Sequence, residues 1–271
     1  MAGNLVISTV NSAAIGVKNQ IINGNFAVNQ RAVSGTVTLA AGIYGHDRWK
    51  AGASGCTYTF ATSANVTTLT ITAGSLIQVV EGINLFTDTY TLSWTGTATG
   101  KIGAGSFSGA GVTGSITGGT NTNIEFSTGT LSLVQLEVGA VVTGWERRSF
   151  SQELALCQRY YYKTFQQSVA PATNAGVAGA LQFVQAAGAS ADCAVGSIKF
   201  PVTMRSTPST ITIYNTSAAN NQFRNLNNAV NWSLSVVESL GESGVGFNGT
   251  TAATSSAGSR CVFHITAEAE L

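Results

Sequence analysis

Carboxylates are scarce in this chain, which has twelve Asp and Glu among its 271 residues. Hydrolysis of a glycosidic bond needs two carboxyl groups held about 5–10 Å apart across the sugar. The candidate pair is Glu238 and Glu242, placed where a predicted strand enters a turn. Exposed carboxylates at such a position are far more often solvated surface than an acid–base couple. We therefore expect no catalytic residues and no enzyme.

His46 and Asp47 are the chemically richest neighbours, because an imidazole beside a carboxylate can serve as an acid–base couple. Arg48 and Trp49 follow them directly. The second histidine, His264, stands among apolar residues of a predicted strand, which favours a hydrogen-bonded core residue over a base or a ligand. Neither histidine lies near a cysteine pair, so no zinc site is predicted.

Phosphate-binding motifs are absent from the sequence. The pattern GxxxxGK[ST] does not occur, and the Gly-rich run 100–120 has no strand-to-helix context for a nucleotide. The EF-hand calcium loop is absent as well. The sequence thus predicts no cofactor.

Glycan binding requires aromatic faces that stack on sugar rings, together with amide and hydroxyl groups. Trp94, Tyr44, Tyr58 and Tyr214 supply aromatic rings, although Trp94 is expected in the core. The polar segment 215–232 is predicted to be a loop, and recognition commonly resides in loops on rigid β scaffolds. The candidate glycan-binding residues there are Asn220, Asn221, Gln222, Arg224 and Trp232.

Charged residues make up only 9% of the chain, where soluble domains average about 25%. Mean hydropathy is +0.20 without a membrane-spanning run. Either identical partners cover much of the monomer, or a neutral, hydroxyl-rich sheet faces solvent. Because an uncovered apolar surface favours aggregation, we expect an obligate homo-oligomer.

Charge and hydropathy also argue against two kinds of partner, nucleic acids and membranes. The net charge of +1 includes no basic stripe beyond Arg147 and Arg148, so nucleic-acid binding is not expected. No apolar run reaches membrane-spanning length, and the N-terminus does not resemble a signal peptide. The cysteines have no CxxC spacing and are predicted to be buried free thiols, two disulfides being the alternative in an oxidising compartment. They are Cys56, Cys157, Cys193 and Cys261.

Residues 1–19 are predicted to form an N-terminal arm, and 20–145 a β-sandwich of jelly-roll type. Thr-rich alternation with β-branched and aromatic residues indicates strands with one buried face. The Gly-rich run 100–120 is expected to be a long loop or an irregular edge. The predicted strands are 36–41, 56–62, 67–73, 76–82, 89–98, 115–118, 123–129 and 131–139.

Residues 146–165 are predicted to form a helical hinge. Ser149 and Gln152 match a capping box, and Leu154, Cys157 and Tyr161 recur with helical spacing over three to four turns. After a linker-like stretch, 166–271 is predicted to be a second, smaller β-sandwich. Its predicted strands are 180–186, 194–202, 209–215, 231–239, 244–249 and 260–271.

Three segments carry a family resemblance: IINGNF at Ile21–Phe26, YGHDRW at Tyr44–Trp49, and the run from Leu131 to Lys163 that includes ELALCQRYY. Together they resemble tail-fibre and receptor-binding structural proteins of tailed bacteriophages. The resemblance covers roughly residues 20–165 and implies a jelly-roll module similar to carbohydrate-binding modules.

The resemblance implies that Trp49 enters the sandwich core while Asp47 and Arg48 brace a loop. It also implies that a structural Ca²⁺ could be bound by Glu137, Asp47 and the carbonyls of Asn23–Asn25. Glu146, Arg147, Arg148 and Glu153 are expected to form salt bridges in the hinge.

The leading hypothesis is a non-enzymatic, homotrimeric tail-fibre or receptor-binding protein located in the virion and assembled in the host cytoplasm. Its partners would be itself, other tail or capsid proteins through the arm, and a host surface glycan. A capsid head-fibre or decoration protein is the alternative. A glycan-cleaving tailspike is disfavoured, because such spikes carry long β-helices with clustered carboxylates.

Overall fold

A computed structural model describes residues 18–173, 175–185, 192–217, 221–233, 236–250 and 257–271. Residues 1–17, most of the predicted arm, lie outside the described residues. The rest is mainly β, as predicted. The jelly-roll strand order and the division into four segments stay predictions.

The N-terminal part forms an antiparallel eight-stranded sheet with the main order β1-β2-β3-β8-β4-β6, while β7 pairs with β3 and β5. Strand β3 is one long strand where two were predicted. The Gly-rich run 100–120 is not a single loop, because it contains both β5 and β6. The strands are β1 (Val37–Leu39), β2 (Lys50–Ser63), β3 (Val66–Val80), β4 (Asp88–Thr95), β5 (Gly100–Ile102), β6 (Val112–Ile116), β7 (Thr122–Phe126) and β8 (Gly129–Val138).

Strand β8 joins the two halves of this sheet. Its residues Gly129–Leu131 pair with β3, and from Ser132 onwards it pairs with β4. Leu133 at this change of partner has φ 50°, and a register shift lies opposite it in β4. Such a bulge lets a strand turn from one sheet to another, as in packed β-sandwiches.

Aromatic residues fill the space between the layers. Trp49 is fully buried and lies 6.0 Å from Phe126, ring centroid to ring centroid. Trp94 packs edge-on against the same ring at 5.1 Å. Both tryptophans therefore belong to the core, as predicted.

The C-terminal part has a six-stranded and a three-stranded sheet sharing one hydrophobic core. Strand β17 pairs with four others and is buried along nearly its whole length, which explains its unbroken apolar run. The six-stranded sheet comprises β9 (Tyr161–Lys163), β10 (Leu181–Val184), β12 (Thr210–Tyr214), β13 (Gln222–Asn225), β14 (Val230–Ser233) and β17 (Arg260–Glu268). The three-stranded sheet comprises β11 (Asp192–Lys199), β15 (Val236–Gly241) and β16 (Gly244–Thr250).

Helix α1 (Phe150–Gln158) connects the two parts. The predicted capping box is confirmed: the Ser149 hydroxyl accepts from the Gln152 amide, and the Gln152 side chain accepts from the Ser149 amide. The predicted length of three to four turns is wrong. The chain becomes strand β9 at Tyr161, because Tyr161–Lys163 pairs with the end of β17.

The predicted apolar helix face is wrong as well. The buried helical residues are Glu153 and Cys157, while Leu154 and Leu156 are half-buried. A carboxylate at the centre of the buried face requires polar partners, and these come from the N-terminal sheet.

Candidate functional site: a buried joint

The most elaborate polar arrangement lies where α1 and the end of β17 meet the N-terminal sheet. Asn23 is its inner anchor: its amide nitrogen donates to Glu153 Oε1 at 2.8 Å, and its side chain donates to the Asp47 carbonyl at 3.1 Å. Trp49 Nε1 donates to the Asn23 carbonyl at 3.0 Å. The three segments that carry the family resemblance are thus in direct contact. We call this region the joint; its members are Asn19–Asn23, Gln30, Arg31, Tyr44–Lys50, Glu146–Tyr161 and Ala269–Leu271.

Arg148 ties the helix to the N-terminal sheet. Its guanidinium donates to the Ile21 carbonyl at 2.9 Å and to Glu153 Oε1 at 3.1 Å, and it also contacts the Asn19 carbonyl. Glu146 lies 4.0 Å away. The predicted ion pairs are therefore confirmed for three residues. Arg147 is exposed and has no ion pair among the described residues, so its predicted role is wrong.

Arg48 lies at the centre of the joint with a side chain only 1% exposed. It forms an ion pair with Glu270, donates to the Val79 carbonyl at 2.7 Å, and lies 3.5 Å from the ring centroid of Tyr160. A buried guanidinium is tolerated only when it is paired and hydrogen-bonded. Arg48 and Asp47 thus brace a loop, as the resemblance implied.

Arg31 forms a second cationic contact with the end of the chain. It lies 3.3 Å from Glu270 and 3.8 Å from Glu268, and its guanidinium is 3.9 Å from the ring centroid of Tyr161. Glu270 therefore bridges two arginines that lie outside the strands, Arg31 before β1 and Arg48 before β2. These charge-assisted contacts offset the conformational entropy that the last residues of the sequence lose on folding.

Asp47 is held by Gln30, whose backbone amide and side-chain amide donate to the two carboxylate oxygens at 2.6 and 2.7 Å. The same side chain donates to the Tyr161 carbonyl at 2.9 Å. Burial raises the pKa of Asp47, while Arg31 and the Gln30 hydrogen bonds oppose the rise. With both oxygens occupied, this carboxylate is a positioning group and is closed to a substrate.

The last residues are fixed by main-chain contacts too. The Ala269 amide donates to the Tyr160 carbonyl at 2.8 Å, and Arg205 donates to the Glu270 carbonyl at 3.0 Å. Lys50 Nζ donates to the Leu271 oxygen at 2.6 Å, and the Tyr44 hydroxyl contacts the same atom. Residues 269–271 are thus held by polar contacts from both parts of the protein.

The predicted calcium ligands do not share a site. Glu137 accepts from Gln135 Nε2 at 2.9 Å and from Thr143 Oγ1 at 2.6 Å, whereas Asp47 is held by Gln30. The two carboxylates have no hydrogen-bond partner in common. Within the described ranges, no group of three or more His, Cys, Asp or Glu could hold a metal ion.

Both histidines are buried, as expected for His264. His264 stacks on Phe165 at 4.2 Å between ring centroids, with Thr164 Oγ1 3.1 Å from its Nδ1. His46 Nδ1 lies 3.0 Å from the Tyr58 hydroxyl, and burial lowers the pKa of His46 to about 4. A neutral, enclosed imidazole of this kind is part of the core.

The cysteine prediction holds where the side chains are described. Cys56 and Cys157 are buried free thiols, and burial raises the pKa of Cys56 to about 11. Cys261 is buried also. The side chain of Cys193 lies outside the described residues. A thiol with such a raised pKa is a poor nucleophile.

The proposed glycan-binding segment is a hairpin and not the predicted loop, since β13 and β14 pair over Gln222–Asn225 and Val230–Ser233. Trp232 is 5% exposed and packs edge-on against Phe223 at 5.3 Å. Its assignment as a sugar-stacking face is therefore wrong: Trp232 faces the core because it lies opposite Phe223 in the ladder.

The polar members of that group lie on or beside the hairpin. Asn221 is exposed with φ 57°, Gln222 Oε1 accepts from Asn215 at 2.9 Å, and Arg224 donates to Asn231 at 3.2 Å. Asn220 lies outside the described residues. Glycan binding by Asn221, Gln222 and Arg224 stays a prediction.

Sequence reasoning missed Glu270 and Arg31 of the joint, and also Arg205, which lies outside the joint and donates to the Glu270 carbonyl. No local pattern marks them, because their partners are distant along the chain. An indirect signal is the terminal sequence AEAEL, whose two carboxylates are unusual in a chain so poor in acids.

Comparison with protein-family models, with curated proteins and with solved structures gives no match. Among the described residues, the single α-helix is too short to span a membrane. What the fold and the joint define is a mainly β protein whose two parts are fixed together by a buried ionic network.

Proposed function

We propose that this protein is a non-enzymatic structural and adhesive component of a virion, a tail fibre or receptor-binding protein that contacts host surface polysaccharide. The observation that carries the proposal is the joint. The three segments that resemble phage fibre proteins contact one another in the joint. The residues that carry the resemblance therefore share one structural role, which is to hold the two β parts together.

The chemistry of the joint supports a mechanical role. Arg48 and Asp47 are buried, the Glu270 side chain is 7% exposed, and all three groups are paired with partners within the protein. A paired network of this kind favours one fixed geometry between two β units. A fixed geometry suits a protein that transmits force and presents a surface.

Self-association is part of the proposal. A chain with 9% charged residues and positive mean hydropathy is expected to cover part of its surface with copies of itself. In a homotrimer, weak contacts to a repeating polysaccharide add through avidity. Attachment to other virion proteins would use the N-terminal arm.

The test uses virions with and without this protein. Loss of adsorption on deletion, together with gold-labelled antibody at the tail, is the expected result. Normal adsorption with label on the capsid would replace the proposal by a decoration role. Release of reducing sugar from host polysaccharide by the purified protein would contradict the non-enzymatic assignment.

A further inference from the structure

A groove opens in the N-terminal sheet where β5, β6 and β7 come together. Its volume is about 670 Å³, and it is lined by residues 102–105, 114–117 and 120–123. Pockets that bind small ligands have volumes of about 300–1,000 Å³. The lining shares no residue with the joint. The groove is therefore a second candidate site, separate from the buried ionic network.

The lining of the groove is polar and uncharged. The structure describes every lining residue, and none of them is Asp, Glu, Lys, Arg or His. An ionic ligand would find no counter-charge there, and an apolar ligand would cover hydroxyl and amide groups without giving them a partner, which costs free energy. An uncharged ligand rich in hydroxyl groups avoids both penalties. The polar lining residues are Ser115, Thr117, Thr120, Asn121, Thr122 and Asn123.

Four of these polar side chains are exposed, those of Ser115, Thr117, Thr120 and Asn123. Within the part of the chain that the structure describes, their hydroxyl and carboxamide groups have no hydrogen-bond partner. A hydroxyl can both donate and accept, and a carboxamide carries two donors and an acceptor. The groove thus offers hydrogen-bonding groups of both kinds to a ligand, whereas the polar groups of the joint are largely paired with one another.

Main-chain contacts hold the walls of the groove in place. The Gly103 amide donates to the Asn123 carbonyl at 2.8 Å, which joins the turn after β5 to β7. Asn121 Oδ1 accepts from the Gly82 amide at 2.8 Å, so its carboxamide is fixed by the oxygen while the nitrogen has no partner among the described residues. A site that is already ordered loses less conformational entropy when a ligand binds.

We propose that this groove is a binding site for a neutral polysaccharide, with sugar hydroxyls bonded to Thr117, Thr120, Asn121 and Asn123. The inference rests on the proposed function, in which a host surface polysaccharide is the ligand, and it specifies both the place of contact and the charge class of the sugar. A polysaccharide suits an open groove because its units outside the groove continue into solvent without a clash.

The test is affinity electrophoresis of the full chain in gels that contain dextran, mannan or galactan, with alginate as the acidic comparison. Wild type should be retarded by at least one neutral polymer and not by alginate. Thr117→Val with Thr120→Val keeps the side-chain shape but removes two hydroxyls, and should weaken that binding about tenfold. The matched control, Thr59→Val with Thr70→Val, changes two exposed threonines of the β2–β3 ladder and should bind like wild type. Both double variants should keep the wild-type melting temperature.

Hydrogen exchange with the retarding polymer locates the contact. Amides of 102–105 and 114–123 should exchange more slowly in its presence. Protection confined to other residues, or equal binding by the two double variants, would overturn the groove as the site and leave the proposed function standing. Binding to alginate alone, or to none of the four polymers, would overturn the neutral ligand. Virions that adsorb normally without the protein would instead remove the proposed function, whatever the groove binds.

Discussion

Arg48 and Glu270 form a buried ion pair although 222 positions separate them in the sequence. Arg48 belongs to the loop before β2, and Glu270 follows β17. The pair therefore holds the end of the C-terminal part, around Glu270, against the N-terminal sheet. Arg31 reaches the same carboxylate at 3.3 Å.

Breaking this pair from one side is expected to destabilise the whole protein. Among the residues that the structure describes, Arg48→Met leaves Glu270 with Arg31 as its one ion-pair partner, and Glu270→Gln leaves Arg48 without an ion-pair partner. Loss of one member of a buried pair costs about 3–5 kcal/mol. The measurement is the free energy of unfolding in urea.

The matched control is Arg147→Met, since Arg147 is exposed and its loss should change stability by less than about 0.5 kcal/mol. The double variant Arg48→Met with Glu270→Gln should lose less than the sum of the single losses, because the two residues are coupled. Additive losses would contradict a direct pair.

Ser149→Ala should remove the N-cap of α1 and cost about 1 kcal/mol, because the Gln152 amide loses its acceptor. Ser149→Thr keeps a hydroxyl at the same position and should stay close to wild type. Thermal unfolding of both variants compares them directly. Equal losses for Ala and Thr would show that the hydroxyl does not stabilise the helix.

The mainly β class, the capping box and most strand positions were predictable, because alternation and capping are local patterns. Strand β9 was predicted as helix because Tyr161 continues the helical spacing of Leu154 and Cys157. Pairing with Glu268 overrides that spacing, and no local signal reveals a partner so far along the chain.

The candidate site was predictable only in its local members. Arg148 and Glu153 are near neighbours, so their ion pair could be anticipated. Glu270, in contrast, joins the site only through the fold, because its ion-pair partners are distant along the chain. Trp232 was misassigned because a polar neighbourhood suggested a loop, whereas pairing opposite Phe223 turns its ring inward.

The free energy of unfolding should depend on pH because His46 is buried in its neutral form. Burial lowers its folded-state pKa to about 4, below the ordinary value of 6.5. The unfolded chain therefore binds more protons than the folded protein between these values. The associated stability is present above pH 6.5 and is lost as the pH falls towards 4, by up to about 3 kcal/mol.

His46→Gln should flatten this dependence, because the amide does not titrate. The measurement is urea unfolding of wild type and variant at pH 7, 6 and 5, where the difference between the two proteins is expected to change steadily. A difference that is constant over this range would contradict an imidazole held neutral by burial.

Substitutions in the β13–β14 hairpin can distinguish a role in binding from a role in core packing. Trp232→Ala should cost about 3–5 kcal/mol because it empties a core position beside Phe223. Asn221→Gly and Arg224→Ala should leave unfolding nearly unchanged, because glycine tolerates the φ of 57° at position 221 and the Arg224 side chain is half-buried. If the hairpin binds polysaccharide, these two variants weaken adsorption to host cells at wild-type stability. Wild-type adsorption by the double variant would move the contact surface elsewhere on the protein.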